Sequence, residues 1–448
     1  MRTFIPVVEC RYRPVSDFAR TTVLALYAFT AWSSPTLNLL AFVACLGLVL
    51  LDRKLLTYSI GDPLFRLGLC VGCYLFAQTL WGIHLFPETS HKQWQDFIHW
   101  WLLFTGFFAI AWNVEGKVSR INAMLIAGTL GLWVGMMRVA DWDRMVRFEI
   151  AEQTGFMMTP ACSSQISAAT ILGLMLLARF NPWHGQLKIS RMLGMASLTM
   201  GFLMSGYMLI SSQARITWIA FFLTSATMLA LRYKHQATTQ TTVRTLAFLG
   251  LILALLAAGV VANSNAILKR ISPDLETASL ILQGRVENMP SSSFKYRYHV
   301  LRLGLAKWLE RPITGWGTGS TRTLIQSSGN HALYNEEAGR WMGHLHNTYL
   351  EILVRFGILG AVVISVFMAK FIMHIRKGSQ SDSAFLDYRL FLGGCAMLSA
   401  IASVAEFPIL TNAWRGYWFL LAGIAYGCVY HRPPALREGY SSTGYYRF

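Results

Sequence analysis

Arg215, Arg297 and His346 stand where this sequence could hold an anion and accept a proton. Arg215 follows the turn Ser211-Ser212-Gln213-Ala214 and opens an apolar run. Arg297 borders an amphipathic face, because Phe294, Tyr298, Leu301, Leu305 and Trp308 recur at spacings of four and three. His346 lies in Gly343-His344-Leu345-His346-Asn347-Thr348-Tyr349-Leu350-Glu351, at the entry to another apolar run. Thr348 with Glu351 matches a capping box, which predicts a helix starting there. The positive end of that helix's dipole disfavours an imidazolium, leaves a neutral ring able to take a proton near pH 7, and suits a neighbouring anion. Each residue also has a plainer role open to it: an interfacial anchor for Arg215, a snorkelling arginine for Arg297, a capping histidine for His346. Two cations and a base on one face fit a reaction at a diphosphate-linked substrate.

One face is what the surrounding elements predict. Charged residues make up only 14% of the 448 residues, against about a quarter in a soluble protein. The apolar residues form blocks long enough to cross a bilayer. Spans are expected near 20–33, 36–51, 64–86, 97–112, 121–139, 164–179, 192–210, 214–231, 243–262, 350–374, 388–405 and 412–430, the first two being short enough to form a tilted hairpin instead. The fold class is therefore an all-α polytopic membrane protein of about 12 transmembrane helices. The net charge of +17 is distributed by topology and does not call for nucleic acid. Arg53/Lys54, Lys117/Arg120, Lys188/Arg191, Arg232/Lys234 and Arg376/Lys377 fall in loops assigned to the inside, whereas the short outer loops, apart from the one after the fifth span, hold little more than Lys92. Residues 1–262 then carry spans 1–9, residues 263–349 form a large extracytoplasmic loop containing helices, and residues 350–448 carry spans 10–12 and a cytoplasmic tail. No ATP or nucleotide sugar reaches that outer side, so chemistry there needs an already activated donor.

Three other features invite a chemical reading. Gly315-Trp316-Gly317-Thr318-Gly319, after Pro312 ends the loop helix, is a flexible turn that could serve as a backbone nest for phosphate. Asp141-Trp142-Asp143 could hold a divalent ion, but arginines can supply the same positive charge, and no metal or other cofactor is expected. Cys70 and Cys73 form a C-x-x-C inside an apolar span without a second ligand pair, so packing as small apolar groups is the expectation.

His346-Asn347, nine residues, Gly357, two residues and Gly360 resemble the signature of bacterial O-antigen ligases. The order Arg297, Pro312-Ile313-Thr314-Gly315-Trp316-Gly317, His346-Asn347-Thr348-Tyr349-Leu350 is similar to the core of the wider ligase and polymerase superfamily, over roughly residues 200–370. The resemblance implies a multi-pass protein of the Gram-negative inner membrane. It would transfer O-antigen polysaccharide from undecaprenyl diphosphate to lipid A–core oligosaccharide on the periplasmic face, by metal-independent inverting glycosyl transfer. It implies that His346 is the base, that Arg215 and Arg297 bind the diphosphate, and that Asn347, Gly357 and Gly360 support the motif. An O-antigen polymerase shares the donor but has a carrier-linked acceptor. A transporter of lipid-linked sugar would instead place its ionisable residues near the bilayer midplane.

Overall fold

The computed structural model describes residues 16–147, 153–180, 188–235, 264–290, 292–335, 339–378 and 386–429, with residues 250 and 261. The expected ninth span at 243–262, the first 15 residues and the tail from 430 fall essentially outside the described residues. What is described is almost wholly helical. Helices α1 (Asp17–Ser33) and α2 (Pro35–Leu51) are joined by one residue, Ser34, whose hydroxyl caps α2 while Pro35 takes its first turn. Next come α3 (Arg53–Ile60), α4 (Pro63–Leu85), α5 (Ser90–Thr105), α6 (Phe107–Val114), α7 (Val118–Met137) and the short α8 (Trp142–Val146). They are followed by α9 (Pro160–Phe180), α10 (Lys188–Ser211) and α11 (Arg215–His235). Outside the apolar runs lie α12 (Ser264–Leu282), α13 (Ser293–Glu310), α14 (Thr321–Ser327) and a two-stranded hairpin pairing Tyr334–Asn335 with Arg340–Trp341. The last three helices are α15 (Thr348–Gly378), α16 (Leu386–Ala402) and α17 (Asn412–Val429).

Among the described residues, five helices are long and apolar enough to cross a membrane: Pro63–Leu85, Pro87–Val114, Val118–Met137, Gly194–Ser211 and Thr348–Arg376. The chain is thus a multi-pass, all-α membrane protein. The span expected at 97–112 is longer than its apolar run suggested, because α5 begins with polar residues and continues into α6 through Gly106. A Cβ on Gly106 would lie 2.2 Å from Phe419 Cζ, so this glycine is where α17 comes closest. Around that approach Phe107, Phe108, Phe371 and Tyr426 interlock in the main core. Near the start of α1, buried arginines are paired with carboxylates: Arg20 with Asp52 at 2.7 Å, and Arg120 with exposed Asp17 at 2.7 Å and with Glu115 at 2.8 Å. Such pairing is what lets ionisable groups sit at the ends of spans. Cys70 and Cys73 lie exposed on the surface of α4, not packed inside as expected.

A second, smaller core of Val300, Leu324, Ile325, Leu333, Leu345 and Val354 fastens the extramembrane elements to the top of α15. It changes the reading of α13. The inward stripe is Arg297, Val300, Gly304 and Trp308, while Phe294 is 42% and Leu305 48% exposed. A Cβ on Gly304 would lie 2.8 Å from Leu345 Cδ1, so the helix is seated by a small residue that an apolar count overlooks. The expected apolar face is therefore rotated outward, and Arg297 belongs to the face that packs.

The glycine-rich turn also has a different job from the expected phosphate nest. Helix α15 is interrupted at Gly357, with φ 62° and ψ −169°, a backbone region open essentially only to glycine. The break frees carbonyls and amides of the helix, and the 312–317 segment takes them up. Trp316 N donates to Val354 O at 3.0 Å and Gly317 N to Arg355 O at 2.9 Å. In return Ile358 N donates to Pro312 O at 2.8 Å and Leu359 N to Ile313 O at 3.2 Å. A Cβ at Gly357 would stand 2.1 Å from Ile313 O, and one at Gly360 would stand 2.8 Å from the Tyr74 hydroxyl. Both motif glycines are thus close-approach positions. Gly357→Ala should destabilise the protein by about 1–3 kcal/mol from backbone strain alone, before the clash is counted. A thermal midpoint in detergent equal to that of the parent protein would contradict this reading of Gly357.

Candidate functional site

Arg215, Arg297 and His346 converge on one end of the helix bundle. Arg215 opens α11 after a buried turn in which Gln213 has φ 47°. Its guanidinium pairs with Asp274 and donates from Nη2 to Ser293 Oγ at 2.9 Å. Asp274 also accepts from Phe294 N at 3.2 Å, capping the start of α13 together with Ser292, which accepts from Lys295 N. Ser293 and Arg297 are one helical turn apart on α13, so Arg215 is anchored one turn from Arg297. Arg297 Nη2 donates to Glu406 Oε1 at 2.7 Å, and His346 Nδ1 lies 3.6 Å from Glu406 Oε2. Arg215 is thus tied to Ser293, and Arg297 to Glu406 with His346 beside it, the two groups being joined by the first turns of α13. Arg297 Nε is buried and has no hydrogen-bond partner among the described residues, leaving a donor in the cluster for a ligand.

The His346 loop is held from several sides. His346 has φ 52°, a left-handed conformation uncommon outside glycine. Its amide donates to His344 Nδ1 at 3.3 Å, with the two rings 4.2 Å apart. The cap of α15 is not the expected Thr348–Glu351 box. Asn347 Oδ1 accepts from Leu350 N at 2.9 Å, and Asn347 Nδ2 donates to Val404 O at 2.8 Å. Thr348 is instead tied to the loop between α16 and α17, through its amide to Ser403 O at 2.9 Å and its hydroxyl to Glu406 O at 2.8 Å. Glu351 reaches back to Leu345 N at 2.8 Å. Its other oxygen accepts from Arg355 Nε at 2.7 Å, and Arg355 Nη1 reaches Asp96 at 2.7 Å and the Thr318 carbonyl. Buried Arg355 therefore braces the His346 loop, the glycine-rich turn and α5 from beneath. The Arg355 head also lies 5.5 Å from the Phe407 ring.

The electrostatics follow from this packing. Burial alone would raise the Glu406 carboxyl, but His346 and Arg297 outweigh it and hold that carboxyl below the ordinary range. Burial, with the His346, Arg355 and Arg297 charges, pushes His344 well below the usual histidine range. A neutral His344 is what its Nδ1 needs to accept from the His346 amide. The unfolded chain, with a histidine pKa of about 6.5, then binds the extra proton more readily than the folded one. The stabilisation from this group is complete above about pH 6.5 and is lost as the pH falls below it. Thermal midpoints in detergent should accordingly drop on acidification, and His344→Gln should flatten that slope. Parallel slopes in the two proteins would remove His344 as the cause.

The other expectations separate cleanly. Asp141 caps α8 by accepting from Arg144 N at 3.2 Å and lies 3.3 Å from the Arg144 guanidinium. Among the described residues no group of three or more potential ligands gathers to hold a metal. Asp274, Ser293, Glu406 and the Asp96–Arg355 arm of the brace carried no expectation from the sequence, and His344 was expected to matter much less than His346. One signal for Glu406 was present: a lone carboxylate inside the apolar stretch from Ile401 to Leu410 at a span end.

The described chain is helical and multi-pass, and it gathers an arginine–carboxylate–histidine cluster at one end of its bundle, an arrangement able to hold an anion beside a base. Residues 200–365, less than half of the chain, match the family model for O-antigen ligase, and that segment is similar to the family. The match spans Arg215, Asp274, Arg297, His346 and both motif glycines, and it stops short of Glu406. No curated protein matches the chain.

Proposed function

We propose that the protein is an O-antigen ligase of the Gram-negative inner membrane, with its cluster facing the periplasm. It would move O-antigen polysaccharide from undecaprenyl diphosphate to a sugar hydroxyl of lipid A–core. The observation that carries this reading is the alignment of Arg215 and Arg297 along one turn of α13, with His346 reached from Arg297 through Glu406. In this reading residues 263–349 are extracytoplasmic, between spans 1–9 in residues 1–262 and spans 10–12 with the tail in residues 350–448.

The mechanism follows from the groups present. The two guanidiniums bind the donor's diphosphate and stabilise the charge that develops on it as it leaves. His346 accepts the proton of the acceptor hydroxyl, whose oxygen attacks the anomeric carbon. The bond from that carbon to the diphosphate oxygen breaks, its electron pair leaving with the diphosphate, and the configuration inverts in a single displacement. Glu406, 3.6 Å from Nδ1, would stabilise the ring once it carries the proton, leaving Nε2 to meet the acceptor. No carboxylate nucleophile is required, as it would be in a two-step retaining route. The His346-Asn347 spacing to Gly357 and Gly360 favours ligase over polymerase.

The test is transfer by the full-length protein in proteoliposomes, with carrier-linked O-antigen and lipid A–core supplied. Product should form with chelator present, since the arginines supply the positive charge. Dependence on added magnesium, together with inactivity of Asp141→Ala, would move the chemistry to the paired aspartates.

A further inference from the structure

Three helices, α15, α16 and α17, enclose a cavity of about 620 Å³ that belongs to no part of the cluster above. The helix directions fix its ends. Ser403, just past the end of α16, lines it near the candidate site, while Arg376, near the end of α15, and Arg389, in the first turn of α16, line it at the opposite side of the bundle. Between them its wall is apolar, formed by residues such as Phe371, Leu392 and Trp418. Ile372, half exposed, also lines it, so the cavity reaches the lipid-facing surface.

An apolar hollow of this size that opens toward hydrocarbon has few polar partners for water along its length, and acyl chains fill such a space well. Among the described lining residues Arg376 and Arg389 are the only Lys or Arg, and both lie at one end. A guanidinium carries five donors and can bind a phosphate while still serving a protein neighbour. Basic pockets between span ends are typical seats for anionic headgroups. We propose that the cavity binds an anionic diacyl phospholipid of the leaflet opposite the candidate site, its phosphate at Arg376 and Arg389 and its chains along Phe371, Leu392 and Trp418. A polyprenyl chain belonging to a donor in the cluster would carry its phosphates at the Ser403 end, where the described lining residues include no cation.

Native mass spectrometry of the full-length protein decides between them, using phosphatidylglycerol and phosphatidylcholine with identical chains. An arginine near the membrane surface contributes about fivefold to anionic lipid affinity, so the two should give a preference of ~25-fold for phosphatidylglycerol. Arg376→Gln with Arg389→Gln should erase that preference. Gly393 lines the cavity, and a Cβ there would meet nothing within 4 Å, so Gly393→Phe should fill the space and expel the bound lipid while the protein still folds. Equal retention of the two lipids by the parent protein overturns the proposal, as does a preference that survives in the double variant or in Gly393→Phe. Displacement of phosphatidylglycerol by undecaprenyl phosphate at equal concentration would assign the cavity to the polyprenyl chain instead.

Discussion

In the His346→Ala protein, transfer should fall by about 10²–10⁴-fold, the usual contribution of a general base, while carrier-linked donor still binds. The expectation rests on position. His346 is the ring at the end of the arginine–carboxylate line, and its backbone is fixed in a left-handed conformation by His344, Asn347 and the 403–406 loop. Glu406→Gln should give a smaller loss, because the amide keeps the shape beside Nδ1 but cannot stabilise the ring once it carries the proton. As a positioning residue, Glu406 should also change the pH profile: the acid limb of the rate should move in Glu406→Gln, a change that a purely structural defect would not produce. Near-normal turnover by His346→Ala, measured with donor binding in parallel, would place the base elsewhere.

Arg215→Ala and Arg297→Ala should each remove about 2–4 kcal/mol of transition-state stabilisation, or roughly 30- to 1000-fold in rate. Lysine should rescue only part of this, since a point charge cannot reproduce a bidentate fork. The ion pairs complicate the experiment usefully. Removing Arg297 leaves Glu406 buried without its 2.7 Å partner, so some loss could come from local structure alone. The double variant Arg297→Gln with Glu406→Gln separates the two effects: it should recover thermal stability but not transfer. Arg302→Ala, on the exposed side of the same helix, should be indistinguishable from the parent protein. Normal transfer by both single alanine variants would return Arg215 and Arg297 to the role of membrane-interface anchors.

The parts of this site that local chemistry determines were readable from the chain. Arg215 at the start of an apolar run, a loop helix ending before Pro312, and His346 just ahead of α15 all stand where expected. What local pattern could not convey was pairing at a distance. Glu406 meets Arg297 across 109 positions, and Asp274 meets Arg215 from a helix that carries Pro273 in its interior. The apolar face of α13 was misread for a related reason. In a protein bordered by lipid, exposed and buried apolar residues look alike, and the true inward stripe is marked by Gly304 and Arg297. The Thr348–Glu351 box satisfied its spacing rule, yet both side chains found stronger partners in other elements. The motif glycines were legible as a pattern but not as a cause. Their reason is the 312–317 segment lying across a broken helix.

The central claim is that this cluster joins a finished carrier-linked polysaccharide to lipid A–core. Lipopolysaccharide electrophoresis of a strain lacking the chain, with the carrier-linked polymer followed alongside, tests it most directly. The account predicts core-only lipopolysaccharide and accumulated carrier-linked polymer, both reversed by the parent chain and neither by His346→Ala. Core bearing a single repeat, without carrier-linked polymer, would contradict it and identify a polymerase.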